Sequence, residues 1–128
     1  MLHHHRNDPS EAYRRVDFDA RVRGADSRQL VDLCLEQVIG SIGRAIHAQH
    51  RADNLAKSAA LTRAVSALTA LQMGVDMSNP TAGALVQLYQ SARNAVLDCV
   101  TRFDADKLAV IRQDFTEIRE AMMHSIAG

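Results

Sequence analysis

"DSRQLVDLCLEQVIGSIGRAIHAQH", residues 26–50, decides the fold. At 100° per residue its Val31, Cys34, Leu35, Val38, Ile39, Ile42, Ala45 and Ile46 fall on one arc, the signature of an amphipathic helix. Asp26 and Gln29 stand at capping-box spacing, so Asp26 or Ser27 caps a helix that runs to about His50. Two glycines interrupt it. Gly40 and Gly43 each cost a helix about 0.8–1 kcal/mol relative to alanine. They fall opposite the apolar arc, beside Asp32, Glu36, His47 and the lone Leu33, so core packing does not explain them. Either they are exposed and tolerated, or a segment lies across this low face, the leader near Tyr13 or part of a partner.

Three further helical patterns follow. The second helix starts after "HRADN" and stops at Gly74 in "MGVD". Its Leu61, Ala64, Val65, Leu68, Leu71 and Val75 form a core stripe. Its back carries Ala56, Ala59, Ala60, Ala67 and Ala70, a surface of low relief that lets another element approach closely. "SNPTAG" opens the third helix, with Asn79 as the expected N-cap and Pro80 at the first helical position, where its missing N–H is harmless. This helix has a core stripe of Leu85, Leu88, Ala92, Val96, Cys99 and Phe103. Beside that stripe lies a shoulder of Val86, Tyr89, Leu97 and Val100, wider than one seam needs and interrupted by Arg93. The fourth helix reopens at "FDADK", capped by Asp104 or Asp106, with Leu108, Ile111, Phe115, Ile118, Met122 and Ile126 on one side. The expected architecture is therefore all-α: an antiparallel four-helix bundle over residues 26–126, preceded by a mobile leader over residues 1–25 that holds at most a short helix.

Composition agrees. The chain has 128 residues, enough for one domain with its own core, and 47% are apolar while only 4% are aromatic, which suits helices packed on helices. Lys plus Arg and Asp plus Glu balance at 15 each, so no net field points to nucleic acid. The arginines of "RRVDFDARVRGADSR" alternate with acids and read as a solvated segment. No apolar run approaches the ~18 residues of a membrane span, and nothing at the start resembles a signal peptide. Cys34 and Cys99 lie on core arcs without metal-ligand spacing, as expected of reduced, buried thiols in a cytoplasmic protein.

Catalytic chemistry is hard to find. His47 and His50 are three apart near a helix end, but no Glu-x-x-His pair of a di-iron bundle accompanies them, and both read as surface residues. His3 stands third from a free amine, a spacing that binds Cu(II) or Ni(II), but the three histidines of "LHHH" read as incidental. There is no phosphate loop and no nucleophile beside a base. The chain is expected to be non-enzymatic, with no cofactor and no metal. What remains is surface: the alanine back, the third-helix shoulder, and Met73 and Met77 near their junction. Flexible methionines suit adaptable contacts, and together these features suggest a module that takes a partner segment into grooves.

The order "AYRRV", "GADSRQLVDLCLEQV", "LTALQMGVD", "LVQLYQSARNAV", "FDADKLAVI" resembles the flagellar secretion chaperone family FliS over residues 12–122. The matching positions are Ala12 and Tyr13, Gln29 and Leu30, Gly74 and Asp76, and Leu88 and Tyr89. The chain departs from the pattern at Asp26 and Ser27, across residues 34–38, and at Ser91. The resemblance implies a cytoplasmic chaperone that binds the C-terminal segment of flagellin, prevents its premature polymerisation and meets a flagellar export gate protein. It also implies that the leader around Tyr13 regulates the tail site and folds back over the bundle when no client is bound. The expected protein-binding residues are Tyr13, Val86, Tyr89, Leu97, Val100, Ala59, Ala70, Met73, Leu33, Gly40 and Gly43. The alternative is a helical adaptor for another flagellar or secretion protein.

Overall fold

The computed structural model describes the backbone of residues 9–127 and the side chains of residues 10–124. Its elements are all helical: α1 (Pro9–Arg23), α2 (Ser27–His50), α3 (Asn54–Met73), α4 (Ala82–Thr101) and α5 (Ala105–Ala127). The four expected helices are α2 to α5. The count is nevertheless five, because the leader carries a helix of 15 residues. Pro9 occupies its first helical position, Glu11 its first turn, and Arg21 and Arg23 its last, the arrangement that suits the helix dipole.

Cross-helix contacts fix the directions. Lys57 Nζ donates to Gln49 Oε1 at 2.9 Å, so α3 turns back along α2. Arg119 reaches Asp32 while Arg112 reaches the Ile39 carbonyl, so rising numbers in α5 meet falling numbers in α2. Gln72 with Gln90 and Thr69 with Arg93 show the same between α3 and α4. Neighbouring helices are antiparallel. Helix α2 is the central element, packed against α3, α5 and α1. That position explains why its buried residues extend beyond one arc to Leu33, Ser41 and Ala48.

The caps follow local chemistry. In the α2 capping box the Gln29 N–H donates to Asp26 Oδ1 at 2.9 Å and the Asp26 N–H to Gln29 Oε1 at 3.0 Å. Asp104 accepts from the Lys107 N–H and caps α5. Asn79 does not cap α4 as expected. Its side chain accepts from the Thr81 N–H and hydroxyl, closing a turn, and the helix begins after Thr81. Between α2 and α3 the Asp53 N–H reaches the Ala48 carbonyl and the Ala52 N–H the Gln49 carbonyl, a Schellman closure. Its pivot is Ala52 at φ 56°, in the left-handed region that favours glycine. The core joins Leu35, Val38 and Ile42 of α2 to Leu61 and Leu68 of α3, Val96 and Cys99 of α4, and Leu108 and Phe115 of α5.

Candidate functional site

The alanine back of α3 is partly occupied, and its occupant is α1. Ala60 and Ala67 are buried, and α1 lies over the groove that α3 forms with α2. Beneath it a cavity of about 610 Å³ is bounded by Phe18 and Val22 from α1, Leu30, Val31 and Cys34 from α2, and Ala67, Ala70 and Leu71 from α3. The lining is mostly apolar. Phe18 and Val22, the apolar residues that α1 turns inward, are only half-buried, whereas Tyr13 and Val16 on its outer side are 79% and 66% exposed. Helix α1 thus enters the groove shallowly.

Charged side chains hold both ends of α1. Near its start, Glu11 is buried and its Oε2 lies 2.9 Å from Arg63 Nη1, each side chain retaining 11% exposure. Despite that approach Oε2 accepts no hydrogen bond among the described residues, so the pair is electrostatic and imperfectly aimed. Arg14 approaches the other carboxylate oxygen at 3.7 Å. Gln37, with its amide oxygen turned toward Arg63, accepts from Nε and Nη2. Arg44 donates to the buried Ser41 hydroxyl at 3.0 Å, while its buried Nε–H has no partner among the described residues. Burial and, after it, Arg14 push the Arg44 guanidinium below its ordinary range. Phe18 completes the region, with the Arg63 guanidinium 5.9 Å from its ring centre.

At the other end Arg21 forks onto Glu36, at 3.2 and 3.0 Å. Arg119 of α5 forks onto Asp32 at 2.7 and 3.2 Å and approaches Glu36 at 3.6 Å. This network links α1, α2 and α5. Its hydrogen bonds from Arg119 hold the Asp32 carboxyl below the usual carboxylate range.

The residues expected to bind a partner fall in several places. Ala70 lines the groove under α1, and Met73, 81% exposed, directly precedes the groove residue Gly74. Val86 is half-buried on α4, and Leu97 and Val100 are exposed there at 42% and 59%. Tyr89 belongs to the core, 4% exposed and tilted against Phe115 with ring centres 6.1 Å apart. Ala59 is half-buried on α3. Leu33 is buried at the α2–α5 seam, where it borders a second cavity with Met122 and Met123. What lies across Gly43 is not the leader but α5: a Cβ there would meet Arg112 Nε at 3.2 Å. At Gly40 the nearest group is Arg44 of the same helix, also at 3.2 Å. Tyr13 stands on the solvent side of α1.

Glu11, Phe18, Val22, Arg44 and Arg63 escaped the sequence reading. The available signal was Glu11, Phe18 and Val22 at helical spacing after Pro9, but a carboxylate inside that stripe disguises it as a polar face. His47 and His50 are exposed, and among the described residues no three His, Cys, Asp or Glu side chains gather to hold a metal. His3 lies outside the described residues. No described helix is long and apolar enough to cross a membrane.

A family model described as "Flagellar protein FliS" matches residues 9–126, from the first residue of α1 almost to the end of α5. Comparison with curated proteins gives no match.

Proposed function

Because the chain belongs to the FliS family, we propose that it is a cytosolic chaperone for the C-terminal tail of flagellin, which it keeps from polymerising early and delivers to the flagellar export gate. The family is one of flagellar export chaperones rather than enzymes. What supports the tail-binding reading is the groove between α2 and α3, apolar and filled shallowly by a helix of the same chain. A fully buried Leu, Val or Phe contributes about 1.5–3 kcal/mol, and α1 offers only the half-buried Phe18 and Val22. A disordered tail with deeper anchors displaces such an occupant, and its ordering entropy keeps the complex reversible.

The tail also has a route onward. Gln72 is hydrogen-bonded to Gln90 of α4 and Gly74 lines the groove, so the exposed Met73 stands between groove and α4 along the chain. A tail leaving the groove there reaches the shoulder of Val86, Leu97 and Val100. That shoulder also favours the second reading, an adaptor that presents α4 to another secretion protein.

Calorimetry with a peptide covering the flagellin C-terminal segment tests the proposal. Binding is expected, with faster amide exchange in α1 as the tail replaces it. Leu97→Asp and Val100→Asp should weaken binding while melting stays cooperative. A folded chain that ignores the peptide refutes the chaperone reading, and tail binding with α1 exchange unchanged refutes the groove.

A further inference from the structure

The geometry points to an acidic residue in the client segment that takes the place of Glu11 at Arg63, beside the pocket that Glu11 shares with Arg44. This inference rests on the reading that a flagellin tail displaces α1.

When α1 lifts away, Glu11 and Arg14 leave with it. Arg63 on α3 and Arg44 on α2 stay behind, two guanidiniums with Gln37 and Ser41 for company. Exposed to water they are hydrated. Covered again by an apolar segment they become buried charges without a counter-ion, which disfavours binding strongly. A segment that brings a carboxylate to this point avoids that penalty. It can also improve on α1, because among the described residues Glu11 Oε2 accepts no hydrogen bond and the Arg44 Nε–H has no acceptor.

The spacing on α1 states what else such a segment needs. Phe18 and Val22 follow Glu11 by seven and eleven positions and line the apolar groove, Phe18 with its ring beside the Arg63 guanidinium. A helical client therefore places its acid at the Arg63 end and apolar side chains two and three turns away, over Leu71 and Ala70. The groove reads a charge at one end and volume at the other, which separates its client from any merely hydrophobic tail.

Two variants of the full chain separate the possibilities, probed with the flagellin C-terminal peptide. Glu11→Gln and Arg63→Gln break the same ion pair, so both should speed amide exchange in α1. Glu11→Gln removes a competitor and should bind the peptide about 3- to 10-fold more tightly than the unaltered chain. Arg63→Gln also frees α1, losing the Phe18 ring contact as well as the ion pair, but it removes the client's partner and should bind about tenfold more weakly than Glu11→Gln. Arg63→Lys keeps the charge and should recover most of that loss. On the unaltered chain, replacing the peptide's acids one at a time by their amides should expose one position whose loss weakens binding about tenfold. Equal affinities for Glu11→Gln and Arg63→Gln, or an amide scan with no sensitive acid, overturn the inference and leave the chaperone reading standing. A peptide that binds none of the folded chains overturns both.

Discussion

Replacing Gly43 with alanine measures how firmly α5 is seated on α2. The position is interior to a helix, where alanine is worth about 0.8–1 kcal/mol over glycine. The added methyl is not free, however. It would lie 3.2 Å from Arg112 Nε, 3.4 Å from Cζ and 3.5 Å from Nη2, so the guanidinium must shift by a few tenths of an ångström. That Nε also donates to the Ile39 carbonyl at 3.3 Å, an exposed bond worth about 0.5–1 kcal/mol. The two effects nearly offset each other, and Gly43→Ala should stabilise by no more than about 0.5 kcal/mol. With Arg112→Ala as background the obstacle is gone, and the same change should stabilise by about 1 kcal/mol. Gly83 supplies the control. A Cβ there meets nothing within 4 Å, so Gly83→Ala should gain about 0.5–1 kcal/mol whether or not Arg112 is present. Urea unfolding of the four Gly43 and Arg112 combinations gives the coupling directly. A full gain in the unaltered background would show that Arg112 yields freely and that nothing of consequence rests on Gly43.

Other outcomes follow from the same contacts. Ala52→Gly should stabilise the chain by about 1 kcal/mol in urea unfolding, because glycine enters the left-handed pivot of the α2–α3 closure without a Cβ clash. The Asp32 carboxyl titrates below its ordinary value in the folded chain, so its contribution is present at neutral pH and disappears as pH falls through that lowered value. Asp32→Asn should accordingly cost about 0.5–1 kcal/mol at pH 7, less in high salt, and almost nothing in acid melts, since the pair is partly exposed. Cys34 and Cys99 are free and buried, and burial pushes the Cys34 thiol up, so both should resist alkylation natively and react fully in denaturant. Mass spectrometry finding an intramolecular disulfide would contradict this.

Elements whose local chemistry and burial agree were legible from residues alone. Asp26 and Gln29 marked the start of α2, and Leu108, Ile111 and Phe115 marked the inner side of α5, because a stripe against one partner obeys a simple period. Leu33 was misplaced on an outer face for the opposite reason. Helix α2 has neighbours on three sides, and a one-arc reading cannot see the third. Tyr89 looked like surplus surface because Phe115, its ring partner, lies 26 positions away in sequence. Helix α1 hid best, since its innermost residue is Glu11 and two of its apolar residues, Tyr13 and Val16, face water. The alanine back of α3 announced an approaching element without saying which one.

Only residues 24–26 separate α1 from α2, and that brevity has a kinetic meaning. A helix tethered so closely rebinds its groove without any diffusional search, as though present at an effective concentration of about millimolar order. On the proposed function, a tail in the groove competes with a rival that dilution never removes. Should the tail's hold loosen at one end, α1 is already beside the vacated floor and can close over it stepwise. If the proposed function holds, unloading needs no separate displacing factor: partial withdrawal of the client lets the first helix finish the exchange.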